Sequence, residues 1–217
     1  MTGSRGALVT GGTGRVGRAV AERLEADGFR VLTAGRRDGD LADPKAAMAL
    51  VERAVRELGG LELVVHAAGE GFEPRPVEEV EEEHWDAAFG ATAKGSFFVA
   101  QAAAPHLRRS GLGLLVLVED VAGYQPWPSF APHCAAKAAQ AMLTRVLARA
   151  LAPEVRVCGV VPGPVAVEQG QEERRAAETL LGRVGSPEDV AEAVAYLVRA
   201  DFVTGTSLVV DGGRLLT

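Results

Sequence analysis

The fold of this chain is decided by residues 7–24, ALVTGGTGRVGRAVAERL, in which an apolar run passes through a glycine-rich turn into an amphipathic segment. The run Ala7–Thr10 predicts a buried strand. Val16, Val20 and Leu24 recur every four residues and therefore predict a helix with one apolar face. Glycines between a strand and a helix let the backbone turn sharply and approach a phosphate group, whose charge the helix N-terminus favours. The stretch therefore predicts the phosphate-binding turn of a dinucleotide site.

Short apolar runs and longer amphipathic segments alternate from this stretch to the end of the chain. Strand–helix alternation of this kind predicts right-handed βαβ units, and hence an α/β fold with one doubly wound parallel sheet of the Rossmann type in a single compact domain over residues 1–217. The predicted strands are Ala7–Thr10, Val31–Ala34, Leu61–His66, Leu114–Val118, Val155–Val161 and Leu208–Val210. The predicted helices lie near Gly17–Asp27, Pro44–Leu58, His84–Leu107, Ala131–Leu151 and Pro187–Val198.

Composition places the chain among ordinary globular proteins and narrows its partners. Its 217 residues include 23 Lys and Arg against 29 Asp and Glu, a net charge of −6, which gives no support for binding nucleic-acid phosphates. No apolar run approaches the roughly 20 residues of a membrane span, and we expect no leader segment before the first strand. The two cysteines, Cys134 and Cys158, are interpreted as free thiols, and no Cys/His cluster predicts a metal site. We therefore expect a cytoplasmic protein that binds neither nucleic acid, membrane nor metal.

The end of the second predicted strand indicates which dinucleotide the chain binds. Sites that prefer NAD usually carry an acidic residue there, which accepts hydrogen bonds from the ribose hydroxyls, whereas a basic residue suits the 2′-phosphate of NADP. Here Ala34 is followed by Gly35, Arg36 and Arg37. The two arginines therefore predict NADP(H) as the cofactor, and two solvated surface arginines are the alternative interpretation.

These motifs and their order resemble the short-chain dehydrogenase/reductase family over essentially the whole chain. Thr10–Gly17 matches the family's glycine turn, and Leu61–Gly69 matches the strand that ends in its Asn-Asn-Ala-Gly motif. Asp40-Leu41 resembles the pair that lines the adenine pocket, Pro162-Gly163 the turn on the nicotinamide side, and Val203–Gly213 the C-terminal signature. The resemblance implies a small-molecule substrate and a homodimer or homotetramer. Together with the two arginines, it gives the predicted cofactor-binding residues Gly11, Thr13, Gly14, Arg15, Val16, Gly17, Arg36, Arg37, Asp40, Leu41, Ala67, Ala68, Gly69, Lys137, Pro162 and Gly163.

The catalytic signature of that family is a serine, a tyrosine thirteen positions later and a lysine four positions beyond the tyrosine. Lys137 fits the lysine position, but the same spacing places His133 at the tyrosine and Asp120 at the serine. The chain contains no asparagine, and the family's asparagine position falls at Thr92. Asp120, together with Arg15 in the glycine turn, resembles the pteridine reductase branch of the family. The resemblance therefore predicts Asp120, His133 and Lys137 as the catalytic residues.

Two functions are compatible with this set. The first is an NADPH-dependent oxidoreductase that reduces a small planar carbonyl or imine compound, pterin-like or a ketone, with a protonated His133 as the proton donor. The second is a catalytically weak or inactive NADP(H)-binding protein that acts as a redox sensor or scaffold. Tyr124 is a possible stand-in donor, and the aromatic loop around it could stack on a planar substrate or pack against another subunit.

The chain is also shorter than most members of that family. Between Arg37 and Asp40 there is no room for the helix and strand that the family normally inserts. The segment Val167–Leu181, where a substrate-covering loop would lie, is brief and charged. We therefore expect a smaller and more open pocket.

Overall fold

Strands and helices alternate along the chain in the computed structural model, which describes residues 5–70 and 72–217. Residues 1–4 belong to the predicted domain but lie outside the described residues. The strands are β1 (Arg5–Thr10), β2 (Phe29–Ala34), β3 (Leu63–His66), β4 (Gly113–Val118), β5 (Val155–Pro162) and β6 (Ser207–Val210). The helices are α1 (Arg15–Ala26), α2 (Pro44–Leu58), α3 (Glu82–Phe89), α4 (Gly95–Ser110), α5 (Ala131–Leu151), α6 (Glu172–Ala176) and α7 (Pro187–Arg199).

The six strands form one parallel sheet in the order β2-β1-β3-β4-β5-β6. Ala7 of β1 pairs with Val31 on one side and with Leu63 on the other. The chain first runs outward from β1 to β2 and then crosses back to β3, so the strand order reverses between β1 and β3. Such a reversal opens a crevice at the carboxyl ends of the strands, where open α/β sheets bind their ligands.

Helices cover both faces of the sheet, because successive side chains of a strand point to opposite sides. Leu8 of β1 packs into the apolar layer beneath α2, α4 and α5. Its neighbours Ala7 and Val9 pack into the second layer, beneath α1 and α7. The predicted α/β fold, a doubly wound parallel sheet of the Rossmann type in one domain, is therefore confirmed.

The connection between β2 and α2 is short. A short 3₁₀ turn, Arg36–Asp38, leads almost at once into α2, which leaves β2 at the edge of the sheet. Asp43 caps α2, since its carboxylate accepts a hydrogen bond from the backbone N–H of Lys45 at 2.9 Å. Gly59 ends the same helix with φ +75°, a conformation that glycine adopts without steric cost. Local signals of this strength explain why the predicted bounds of α2 agree with the structure.

The helix predicted near His84–Leu107 is wrong in one respect. The structure divides this region into α3, a π-helical turn over Gly90–Lys94, and α4. The apolar pattern is similar on both sides of the turn and so does not reveal it. The turn brings the carbonyl of Ala91 to His66 at the end of β3, where the Nε2–O distance is 3.0 Å. None of the helices described by the structure is long and apolar enough to cross a bilayer.

Candidate active site

The loop between β1 and α1 is built so that only glycine fits at its closest approaches. Gly11 has φ +70°, and a Cβ atom there would lie 2.5 Å from the carbonyl oxygen of Ala67. A Cβ atom on Gly17 would overlap the carbonyl oxygen of Gly11. Gly14 begins α1, and its backbone N–H donates to the Gly11 carbonyl at 3.0 Å. The turn therefore holds the start of α1 tightly against the ends of β1 and β3, as a phosphate-binding turn requires.

A cavity of about 480 Å³ opens beside this turn, at the reversal of the strand order. Its lining includes many of the predicted cofactor-binding residues: Gly11, Thr13, Gly14, Arg36, Asp40, Leu41, Ala67, Ala68 and Gly69. The cavity is additionally lined by Ala34, Gly35, Gly39, Leu50, Glu70 and Ala91. The structure thus brings the glycine turn, the end of β2 and the end of β3 together around one space.

The remaining predicted cofactor-binding residues lie outside that lining: Arg15, Val16, Gly17, Arg37, Lys137, Pro162 and Gly163. Arg15 donates from its guanidinium to the Val167 carbonyl at 3.0 Å, and so ties the glycine turn to the loop after β5. Pro162 ends β5, and the backbone N–H of Gly163 donates to the Val210 carbonyl at 3.0 Å. A cofactor contact of these residues stays a prediction.

An ion pair lies across the mouth of the cavity. The guanidinium of Arg36, after β2, is 2.7 Å from a carboxylate oxygen of Glu70, after β3. The neighbouring Asp38 is held separately, since it accepts hydrogen bonds from Gly35 N–H and from Arg53, and both lower its pKa. Sequence reasoning missed Glu70, although its place directly after Gly69 at a strand end was a usable signal.

Helix α5 carries two of the predicted catalytic side chains. His133 and Lys137 lie one turn apart, and both are buried. The ammonium of Lys137 donates to the Val118 carbonyl at 2.9 Å and to Gln140 Oε1 at 3.0 Å. Burial lowers the pKa of Lys137, while the nearby carboxylate of Asp120 opposes that shift. The lysine is therefore fixed at the end of β4 with its ammonium towards the crevice side of the sheet.

The structure brings the third predicted catalytic residue to this pair. Asp120 follows β4, and its Oδ2 lies 3.6 Å from His133 Nε2. Its other oxygen accepts a hydrogen bond from the backbone N–H of Ala122 at 2.8 Å, which fixes the carboxylate. His133 is only 5% exposed, yet neither of its ring nitrogens has a hydrogen-bond partner among residues 5–70 and 72–217. Within that part of the chain, both hydrogen-bonding positions of this buried imidazole are therefore unused.

A second unpartnered group lies close by. Thr92, in the π-helical turn, is fully buried, and its hydroxyl oxygen has no hydrogen-bond partner in the part of the chain that the structure describes. A Cβ atom on Gly69 would lie 3.4 Å from that hydroxyl and 3.9 Å from Lys137 Nζ. The backbone of Gly69, which lines the cavity, thus meets a free buried hydroxyl and a buried ammonium. Such groups fit the hydroxyls of a sugar, and a nicotinamide dinucleotide carries a ribose next to its reactive ring.

A buried hydrogen-bond chain connects Lys137 to the π-helical turn. Gln140, one turn further along α5, donates from Nε2 to Ser96 Oγ at 2.8 Å. Ser96 in turn donates to the carbonyl of Thr92 at 2.6 Å. Gln140 therefore joins the lysine to the segment that presents Thr92. It was missed because one polar side chain in an apolar helix pattern gives no sign of its partner.

Tyr124 is not placed as the stand-in proton donor. Its hydroxyl donates to Oε2 of the buried Glu119 at 2.6 Å, while Thr144 and Ser207 donate to Oε1 of the same carboxylate. Burial and the bond to Glu119 raise the pKa of Tyr124 to about 12. The hydroxyl is therefore committed to a structural bond inside the fold.

Three aromatic rings pack together instead, and one of them, Phe72, contacts His133. The Phe72 ring stacks on Phe130 at a centroid distance of 4.7 Å and meets His133 edge-on at 5.1 Å. Trp127 meets both phenylalanine rings edge-on. We call Phe72, Trp127 and Phe130 the aromatic cluster. It gives the site flat apolar surfaces beside the imidazole.

No group of three or more His, Cys, Asp or Glu side chains within residues 5–70 and 72–217 is arranged to hold a metal ion. The fully buried His66 is instead part of the framework. Its pKa is lowered to about 4, chiefly by burial, so the ring is neutral. It donates from Nε2 to the Ala91 carbonyl, and Nδ1 therefore accepts from the hydroxyl of Thr10.

Known proteins resemble this chain over nearly its whole length. The family described as enoyl-(acyl carrier protein) reductase matches residues 15–214. A Streptomyces violaceoruber protein assigned as ketoacyl reductase 2 of the granaticin polyketide synthase is 36% identical, over 97% of this chain and 96% of its own length. Human dehydrogenase/reductase SDR family member 4 is 30% identical, over 95% of this chain and 86% of its own length. The solved structure of the TT0495 protein from Thermus thermophilus is 36% identical, with a TM-score of 0.88, over 98% of this chain and 100% of that one.

Proposed function

Because this chain belongs to the short-chain dehydrogenase/reductase family, a family of oxidoreductases, we propose that it is an NADP(H)-dependent enzyme that reduces a small, planar carbonyl or imine compound. The observation that carries the proposal is the convergence of Asp120, His133 and Lys137 at the end of β4, beside the cradle made by the glycine turn. These residues combine a proton donor, its counter-charge and a buried cation in one site.

The residues present fit a nicotinamide dinucleotide. The glycine turn would hold the pyrophosphate at the start of α1, and Asp40 and Leu41, which line the cavity, would contact the adenosine. Arg36 and Arg37 would receive a 2′-phosphate. When it is bound, the reduced nicotinamide supplies a hydride to the substrate carbon. Thr92 and Lys137 are the side chains that would hold the adjacent ribose.

The proton for the substrate oxygen or nitrogen comes from His133 in this proposal. Its Nε2 lies 3.6 Å from Oδ2 of Asp120, so a carboxylate stands beside the proposed donor atom. Lys137 is less suited to donate, because its ammonium is held by the Val118 carbonyl and Gln140. It acts as a buried positive charge that stabilises negative charge developing on the substrate.

The substrate class follows from the aromatic cluster and from the relatives. The flat Phe72 and Phe130 rings near His133 favour a planar substrate. We propose a pterin-like compound or a ketone. The relative named a ketoacyl reductase supports reduction of a carbonyl group. The proposal of a pteridine reductase-like activity rests on Arg15 and Asp120, the two residues that resemble that branch of the family.

A second candidate function is favoured by one specific observation. By the spacing of the family signature, His133 takes the position of the catalytic tyrosine, and the half-exposed Phe72 packs against its ring at a centroid distance of 5.1 Å. A cofactor-binding redox sensor or scaffold with little catalysis would tolerate that replacement. The two candidates share the cofactor cradle and differ only in turnover.

We also propose that the protein is a homodimer or homotetramer. Met142 and Val146 lie one turn apart on α5 and are both about half exposed. Apolar side chains at that spacing form one stripe on the helix surface, as is common where two subunits pack. Size-exclusion chromatography with light scattering measures the molar mass of the assembly and so distinguishes a dimer or tetramer from a monomer.

The test of the function has two steps. Protein fluorescence is titrated with NADPH and, in parallel, with NADH, and micromolar NADPH binding is the expected result. NADPH oxidation is then followed with a pterin and with ketones, for the wild type and for His133→Tyr. Appreciable wild-type turnover that falls in the variant supports His133 as a suited donor. Negligible wild-type turnover that rises strongly in the variant supports the non-catalytic candidate, and failure of both nucleotides to bind contradicts both.

A further inference from the structure

The charged side chains that line the cofactor cavity do not favour binding of a phosphate while Arg36 is paired with Glu70. Among the described residues that line it, Arg36 is the one cation, and Asp40 and Glu70 are the anions. Glu70 lies 2.7 Å from Arg36 and neutralises it. Asp38 does not pair with Arg36, because its carboxylate accepts hydrogen bonds from Gly35 N–H and Arg53. The cavity wall therefore offers an incoming 2′-phosphate a cation that is already paired.

We propose that Glu70 is a specificity-determining residue, which weakens the preference for NADP(H) over NAD(H) by occupying Arg36. The inference rests on the proposed function only in assuming that the cavity binds a nicotinamide dinucleotide. A 2′-phosphate carries close to two negative charges and must take Arg36 from Glu70 before it binds. A dinucleotide without that phosphate leaves the ion pair in place. Glu70 therefore acts against one cofactor and not the other.

The ion pair can open without disturbing the fold. The Arg36 side chain is 84% exposed, so a change of its position displaces water rather than core atoms. Arg36 and Glu70 also line a neighbouring cavity of about 300 Å³ on the side of α3, which gives the released Glu70 carboxylate room to turn away. An exposed pair of this kind contributes up to about 1 kcal/mol, which corresponds to about a fivefold change in a dissociation constant.

Glu70→Gln tests this inference, because it removes the charge and keeps the size of the side chain. The matched control is Glu73→Gln, since Glu73 is in the same loop and pairs with Arg75 at 3.0 Å rather than with Arg36. NADPH and NADH are titrated into the wild type, both variants, Arg36→Ala and the double variant Arg36→Ala/Glu70→Gln. All titrations are run at low ionic strength, where charge effects are largest.

The expected result is that Glu70→Gln tightens NADPH binding about fivefold, changes NADH binding less than about twofold, and differs from Glu73→Gln. When Arg36→Ala is already present, adding Glu70→Gln should change the NADPH dissociation constant less than about twofold, because Glu70 no longer has Arg36 as a partner. An equal gain for both nucleotides, no gain, the same gain in Glu73→Gln, or a full gain without Arg36 would overturn the inference and leave the proposed function standing. If the wild type binds neither NADPH nor NADH, the proposed function itself is contradicted.

Discussion

His133 Nε2 lies 3.6 Å from Asp120 Oδ2, although the two residues come from different elements, the start of α5 and the end of β4. The carboxylate is fixed by the backbone N–H of Ala122, and the imidazole is buried beside Phe72. The pair therefore places a carboxylate beside the imidazole that we propose as the proton donor. In that proposal His133 supplies the proton that hydride transfer to a carbonyl requires, without a tyrosine.

In the proposed mechanism Asp120→Asn should lower kcat by about 10- to 100-fold, because the amide removes the negative charge beside His133 but keeps an oxygen for the Ala122 N–H. Steady-state NADPH oxidation measures the effect. Asp86→Asn, which changes an exposed carboxylate of α3, is the control and should behave as the wild type. Equal kcat in Asp120→Asn and the wild type would exclude a role for this charge.

Gln140→Leu should weaken both the fold and cofactor binding, since it removes an acceptor of Lys137 and the donor to Ser96. We expect the free energy of unfolding to fall by about 1–3 kcal/mol and the pKa of Lys137 to fall further. Urea denaturation and NADPH titration report the two effects. Gln140→Glu keeps an acceptor for Lys137 and should retain most of the affinity. A Leu variant with wild-type stability and affinity would refute the role of this chain.

Tyr124→Phe should leave turnover within about threefold of the wild type, because the lost hydroxyl is bound to Glu119 rather than directed at a substrate. The buried carboxylate loses a donor, so the free energy of unfolding should fall by about 1–3 kcal/mol. Tyr196→Phe on the surface of α7 is the control for stability. Loss of turnover with unchanged stability would reinstate Tyr124 as the proton donor.

The helices that were predicted best are those with strong signals at their own ends. Asp43 and Pro44 start α2 and Gly59 ends it, so its bounds could be read from the sequence. The π-helical turn Gly90–Lys94 gave no such signal in the apolar pattern, and its contact with His66 of β3 joins residues that are 25 positions apart. Sequence reasoning therefore merged α3 and α4 into one helix.

The candidate site divides in the same way. The family resemblance predicts Asp120, His133 and Lys137 as catalytic residues from a local spacing, and the structure brings these three predicted residues together. Glu70 and Glu119 were missed, because their partners depend on how distant strands come together. Ser207, which binds Glu119, lies 88 positions away along the chain. Such pairings are set by the sheet order and not by local sequence.

The stability of the protein should fall steeply in mild acid because of His66. Its pKa is about 4 in the folded protein against 6.5 ordinarily, so the unfolded chain takes up the proton first as the pH falls. Its contribution is fully present above pH 6.5 and should decline by about 3 kcal/mol on the way to pH 4. Urea denaturation at several pH values measures this slope.

His66→Asn should reduce that slope, because no group remains at this position to bind the proton. His84→Gln on α3 provides the comparison and should keep the wild-type slope. If the pH dependence of unfolding is the same in His66→Asn and in the wild type, the buried neutral state assigned to His66 is wrong.

The proton-donor role of His133 is tested by the pH dependence of NADPH oxidation by the wild type and by His133→Phe, with the same carbonyl substrate from pH 5 to pH 9. We expect the wild-type rate to fall as the pH rises, since only the imidazolium can donate a proton, and the variant to be about 100-fold or more slower with a flat profile. A His133→Phe variant that keeps the wild-type rate and the wild-type profile would contradict the claim that His133 supplies the proton.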